Sequence, residues 1–193
     1  MYNVNKQQGF SLVEVLVTLV ITTIALLGSI SLQVVSKRSV YDAMQRTSAA
    51  HLANDLFSRM RANSTSLVNY IPGGTLGQGS RGVAPASDCL NAAADCTDIQ
   101  LAGYDLWQWE QHLDGQQEQV NNNPVGGLMS ATACLIGPAG GGSGNYQLAI
   151  AWRGRTGLAN PAINACGAGA GVLYGANDEF RRVLVIDSFI AAR

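Results

Sequence analysis

Between Phe10 and Val35 the chain contains no proline, and only Glu14 and Gln33 are strongly polar. At 1.5 Å per residue a helix over these about 26 residues is about 39 Å long, enough to cross a hydrocarbon layer of about 30 Å. A carboxylate inside such a rod is costly. On the insertion scales a charge at bilayer depth costs about 2.5 to 3.5 kcal/mol, so Glu14 demands a partner or a local role.

A secretory signal peptide has a shorter apolar region behind a basic head, with small residues at a cleavage site on the far side. Here the order is reversed: a polar leader, MYNVNKQQG, precedes the apolar segment, which begins directly after Gly9. Lys6 is the only side-chain cation of that leader, while Lys37 and Arg38 follow the apolar segment. Counting cations therefore does not place the N-terminus on the cytoplasmic side. Past Val35, Val40, Met44, Leu52, Leu56 and Met60 recur at spacings of four or eight, which predicts an amphipathic helix with its charges largely off that stripe. One helix is expected from about Ser11 to about Asn63, weakest at Gly28-Ser29, where glycine costs about 1 kcal/mol relative to alanine. The plan is then a leader over 1–9, an apolar helix over 10–35, an amphipathic continuation over 36–63 and a head over 64–193.

The head is of another character. The chain has 22 glycines, many after Tyr70, which favour loops and sheet over a helical bundle. All four cysteines, Cys89, Cys96, Cys134 and Cys166, fall here, and no two have C-x-x-C spacing. Disulfides formed in an oxidising compartment are the expectation. Of the three pairings, Cys89 with Cys96 is favoured by closeness in sequence, and Cys134 with Cys166 because it brackets the central strands.

Residues 64 to 87 read as loop, broken by Pro72, Pro85 and glycines. In "CTDIQLAGYDLWQWEQHL", Ile99, Ala102, Leu106, Trp109 and Leu113 recur at helical spacing, and Thr97-x-x-Gln100 fits a capping box. Trp107 lies off that stripe, packed under a loop or facing a partner. Strands are expected over Leu128 to Ile136, Tyr146 to Arg153 and Arg182 to Ile190. In the middle strand Tyr146, Leu148, Ile150 and Trp152 share one face and Gln147, Ala149, Ala151 and Arg153 the other.

Catalytic and metal chemistry are not written here. His51 and His112 stand apart without ligand spacing, and Asp55 and Asp114 read as solvated acids, so no metal or other cofactor is expected. "GPAGGGSGN" lacks the Lys-Ser/Thr of a phosphate cradle, and Ser143 lacks the second glycine of a nucleophile elbow, since Asn145 stands there. Arg153, Arg155, Arg181 and Arg182 read as a small basic strand edge. With a net charge of -1, nucleic acid is not an expected partner. Asn63-Ser64-Thr65 fits a glycosylation acceptor, a pattern too short to weigh.

Glu14 has two readings. Ser11-x-x-Glu14 fits a capping box, and a carboxylate suits a helix start. Yet "GFSLVEVL" also resembles the class III signal of type IV prepilins and pseudopilins. In that family a prepilin peptidase cuts after the glycine, here Gly9, and methylates the new N-terminal phenylalanine, here Phe10. The resemblance makes Glu14 the fifth mature residue, whose carboxylate pairs with the freed amine of a neighbouring subunit. An unpaired charge out of water costs much more than a paired one, so such a contact rewards correct register.

Within the head, "LAGYDLWQW", "LAIAWRG" and "FRRVLVIDSFI" together resemble minor pilins of the PilV kind, the type IV pilus modification proteins. That resemblance implies the α+β type IV pilin fold, a long N-terminal helix with its apolar half protruding and its amphipathic half packed on a small antiparallel sheet, with a second short helix and disulfides. It also implies a non-enzymatic subunit held first in the inner membrane by a single pass, with a periplasmic C-terminal domain, and later in the pilus. Its partners would be other minor pilins, the major pilin and a PilY-type tip adhesin. A type II secretion pseudopilin and a signal-anchored periplasmic binding or enzymatic domain are the rivals.

Overall fold

The computed structural model describes residues 9–90, 95–121 and 123–193. The expected leader, apart from Gly9, lies outside them. The chain forms two compact units, divided between Tyr41 and Asp42.

The first unit is the apolar part of helix α1, which spans Leu12–Ala62. Its aliphatic side chains from Leu12 to Val35 are exposed throughout. The hydroxyls of Thr18, Thr22, Thr23 and Ser31 donate to carbonyls three or four residues back, so these polar residues carry their own partners. Gly28 and Ser29 lie within the continuous helix.

In the second unit the rest of α1 buries Ala49, Ala53, Leu56, Phe57 and Met60. The expected stripe holds only in part. Leu56 and Met60 are buried, but Val40 and Met44 are more than half exposed, and two alanines complete the seam. Alanine adds no length, so it permits close approach of the helix backbone, and a pattern weighted to large apolar residues passes over it. After α1 the expected loop instead begins with 3₁₀ turns over Ser64–Tyr70, interrupted at Ser66. Leu67 and Tyr70, three apart, share the inner face of such a turn and are buried.

Helix α2 spans Asp98–Leu113 and buries Ala102, Leu106, Trp109 and Leu113. Ile99, expected on the same stripe, is exposed. A two-residue hairpin, β1 Gln119–Val120 with β2 Asn123–Pro124, follows. The main sheet is antiparallel, in the order β3 (Thr132–Ile136), β4 (Gly144–Arg153), β5 (Arg181–Ile190). The first strand starts later than its hydrophobic run. Ser130 takes a left-handed φ of 51°, which turns the chain before the ladder begins.

Both faces of β4 are covered. Tyr146, Leu148, Ile150 and Trp152 join the core with α1 and α2. Ala149 and Ala151, on the opposite face, are buried as well. There the segment after β4 folds back: Cys166 is disulfide-bonded to Cys134, and the Tyr174 hydroxyl donates to Ser130 O at 2.8 Å. The second disulfide joins Cys89 to Cys96. The architecture is the α+β type IV pilin fold: a long N-terminal helix, a short second helix, small antiparallel sheets and two disulfides.

Candidate functional site

Gly9, Phe10 and Ser11 precede the first helical residue and are exposed, and a side-chain atom added at Gly9 would meet nothing within 4 Å. The Gly9–Phe10 bond is therefore open, extra-helical backbone of the kind a peptidase can draw into an active site. Helix α1 starts with the amides of Glu14 and Val15 donating to Ser11 O at 3.1 and 3.3 Å. Among the described residues, the Glu14 carboxylate accepts no hydrogen bond and forms no ion pair, so the side-chain bonds of a capping box do not form there. Thr97 shows the contrast. At the start of α2, Gln100 N donates to Thr97 Oγ1 at 3.3 Å and Thr97 N to Gln100 Oε1 at 2.9 Å.

Glu14 and Lys37 are separated along the helix by roughly 35 Å at 1.5 Å per residue. Between them lies an apolar surface that is exposed among the described residues and matches a bilayer core in length. By length and composition this is the helix that can cross a membrane.

The head's polar groups are spent on its own fold. Arg59 of α1 donates to Asp55 at 3.0 Å, Asp105 at 3.1 Å and Gln108 at 2.6 Å. The Tyr70 hydroxyl also donates to Asp105. Burial raises the Tyr70 phenol well above its ordinary range, and the Asp105 carboxylate adds to that. Glu110, fully buried, accepts from Gly77 N and Arg81 N at 2.6 Å each and from the Ser80 hydroxyl. Asp114 holds Gln78 N and Gly79 N at 2.9 and 2.8 Å. Gly77 is required in this clamp: its φ is +108°, and a Cβ would sit 2.4 Å from Ala131 O. Asp114, expected to be an ordinary solvated acid, is thus a backbone anchor, and Asp55 is an ion-pair partner of Arg59.

The arginine patch expected on a strand edge is absent as such. Arg181 is buried and donates to Asn160 Oδ1 at 2.9 Å and to the carbonyls of Asn164, Cys166 and Pro161 at 2.9, 2.7 and 2.6 Å. Arg153 donates to Leu173 O at 2.5 Å and stacks over Phe180, and Arg182 donates to Thr156 O at 2.5 Å. The loop over β4 supplies carbonyls that sequence spacing could not anticipate. Asn63 is buried, with Nδ2 donating to Asp98 O at 2.7 Å, so it is closed as a glycosylation acceptor.

"GPAGGGSGN" contains a short packed turn. Gly141 has φ +72°, and a Cβ on it would lie 2.2 Å from Val68 N. His51 and His112 line one shallow depression with Asp55 and Arg59, yet no group of three or more His, Cys, Asp or Glu among the described residues could hold a metal ion. Trp107 is half-buried, with its ring 5.6 Å from that of Tyr104.

Two families match this chain. Residues 4–30 match the prokaryotic N-terminal methylation motif, and residues 31–107 match the family described as type IV pilin Tt1218. These are the features of a type IV pilin. The type IV pilin family is structural, not enzymatic. The chain's methylation motif implies processing by a prepilin peptidase and assembly with other pilins, and its apolar helix fits membrane anchoring before assembly. No curated protein and no solved structure gives a match.

Proposed function

We propose that this pilin is a minor pilin of the PilV kind, which helps prime pilus assembly with other minor pilins and stays near the tip, beneath a PilY-type adhesin. Residues 1–9 are the leader removed after Gly9, and Phe10 becomes the methylated N-terminus. Residues 10–35 lie in the inner membrane before assembly and in the filament core afterwards. Residues 36–63 continue the helix into a periplasmic head of residues 64–193, and Glu14 pairs with the amine of a neighbour. The observation that carries this reading is the combination at the start of α1: an apolar surface and a carboxylate that are both exposed and without partners among the described residues. The segments that resemble PilV-type chains fall on α2, β4 and β5, elements that frame the head's core.

Two measurements test the proposal. Intact mass of the membrane form should show loss of residues 1–9 and one added methyl on Phe10; a retained leader in the working protein overturns it. Deleting the chain should abolish surface pili and twitching motility. A loss of protein secretion with pili intact would assign it instead to a type II secretion filament.

A further inference from the structure

The outer edge of β5 is an unfilled half of a β-ladder. Ala133 of β3 exchanges both of its backbone bonds with Leu76, at 2.8 Å each, so it faces away from β4. That contact fixes the phase of the whole antiparallel sheet, because residues alternate between the two edges of a strand. Given the register Ala133↔Ile150 and Ile150↔Leu184, the even-numbered residues Arg182, Leu184, Ile186 and Ser188 turn their N–H and C=O groups to β4. Val183, Val185, Asp187 and Phe189 turn theirs outward. Among the described residues no backbone or side-chain group is bonded to these outward N–H and C=O groups.

Proteins usually guard such an edge with proline, lysine, a bulge or a covering segment. From Arg181 to Ile190 there is no proline or lysine, the charged side chains Arg181, Arg182 and Asp187 are engaged by Asn160, Thr156 and Gln147 of the head, and the pairing with β4 runs unbroken without a bulge. Phe189 is 63% exposed on this strand. At the strand's other end Val183 opens onto a groove of about 430 Å³, lined also by Asp42, Arg46, Trp152, Leu158 and Pro161, with apolar walls and charges of both signs at the rim. The opposite edge of the sheet differs, since Leu76 occupies β3 at Ala133.

We propose that β5 receives an extended segment, with apolar side chains at alternate positions, donated by a different subunit of the filament. The backbone row supplies the hydrogen bonds, and the groove beside Trp152 takes a bulky apolar side chain of the incoming strand. Pairing of β5 with β5 of a second copy does not fit. Antiparallel self-pairing of β5 needs a local two-fold axis, and subunits whose N-terminal helices all point the same way along a filament are not so related. This inference rests on the pilin reading above, whose own test is leader removal and methylation.

Amide hydrogen exchange of the full-length chain, resolved to single residues, tests it in two states: detergent-solubilised monomer and isolated filaments. The amides of Val183, Val185, Asp187 and Phe189 should exchange rapidly in the monomer and slow at least 100-fold in filaments, while Leu184, Ile186 and Ser188 are protected in both. Equal exchange of the odd-numbered amides in the two states overturns the proposal. Val185→Pro removes an outward N–H and no bond of the β4 ladder, so the variant should be processed and methylated normally but enter filaments at least tenfold less. Val185→Lys serves the same purpose if the proline variant fails to fold. Normal incorporation of a folded variant, or crosslinks from Phe189→Cys solely to a second copy, would sink the donated strand and leave the pilin reading standing. Failure of processing in the unmodified chain would instead fell the pilin reading.

Discussion

Arg181 Nη1 donates to the carbonyl of Cys166 at 2.7 Å, tying the first residue of β5 to the cysteine whose sulfur is bonded to Cys134 on β3. The loop after β4 is thus held to the sheet twice, once covalently and once through a buried guanidinium. Three further acceptors surround that guanidinium, one Asn side chain and two main-chain carbonyls. Burying a cation is tolerable only where its donors are used, and here they are.

Replacing Arg181 by methionine keeps volume but strands those acceptors in an enclosed site. The expected loss is about 3 kcal/mol, read as a lower denaturation midpoint of the protein with its disulfides intact. Lysine at this position should recover only part of the loss, because a single ammonium cannot reach acceptors spread around a planar fork.

The two disulfides should differ in worth. Cys134–Cys166 closes a loop of sequence separation 32 and Cys89–Cys96 one of 7. By loop entropy these correspond to about 3.7 and about 2.5 kcal/mol. Paired Cys→Ala variants, compared by urea unfolding, should therefore rank in that order. The longer loop should also lose the cover of Ala149 and Ala151, seen as faster amide exchange in β4.

How much of this was legible depended on which signal each element carries. The long helix, α2 with its Thr97 cap, and the alternating face of β4 announce themselves through period and capping chemistry that act over a few residues. The N-terminal methylation motif within residues 4–30 was readable because order alone defines it. The role of Arg181 was hidden, since three of its four acceptors are main-chain carbonyls contributed by a glycine-rich loop about 20 residues away in sequence, and such carbonyls have no residue-type signature. Ala49 and Ala53 were hidden for the opposite reason: their value lies in smallness. The clamp of Glu110 and Asp114 on residues 77 to 81 combines both difficulties, pairing side chains on a helix with main-chain amides of a loop.

That clamp predicts a pH dependence. Burial raises the Asp114 pKa above its ordinary 3.8, the bonds from Gln78 and Gly79 pull it down in part, and the Glu110 charge pushes it up. The folded protein therefore holds this proton to higher pH than the unfolded chain does. Stability from this group is present below the unfolded value and is lost as pH rises through the folded one. Asp114→Asn should flatten that part of the stability-against-pH curve, on the alkaline side of the ordinary carboxyl value. A curve unchanged by the substitution would mean that the Asp114 carboxyl titrates alike in both states.

Glu14 offers the sharpest test of the assembly role, because glutamine keeps the side chain's size and its acceptor oxygen while abolishing the charge. If the carboxylate meets a neighbour's amine away from water, removing one partner leaves the other charge stranded, at a cost of about 3 to 5 kcal/mol. Glu14→Gln should then be cleaved, methylated and folded as usual, yet enter filaments more than tenfold less often when measured by immunoblot of sheared pili against the membrane pool. Glu14→Asp should fall between the two, since it retains the charge on a shorter arm. Unimpaired entry of the glutamine variant would show that an uncharged side chain suffices and that the inter-subunit ion pair does not govern register.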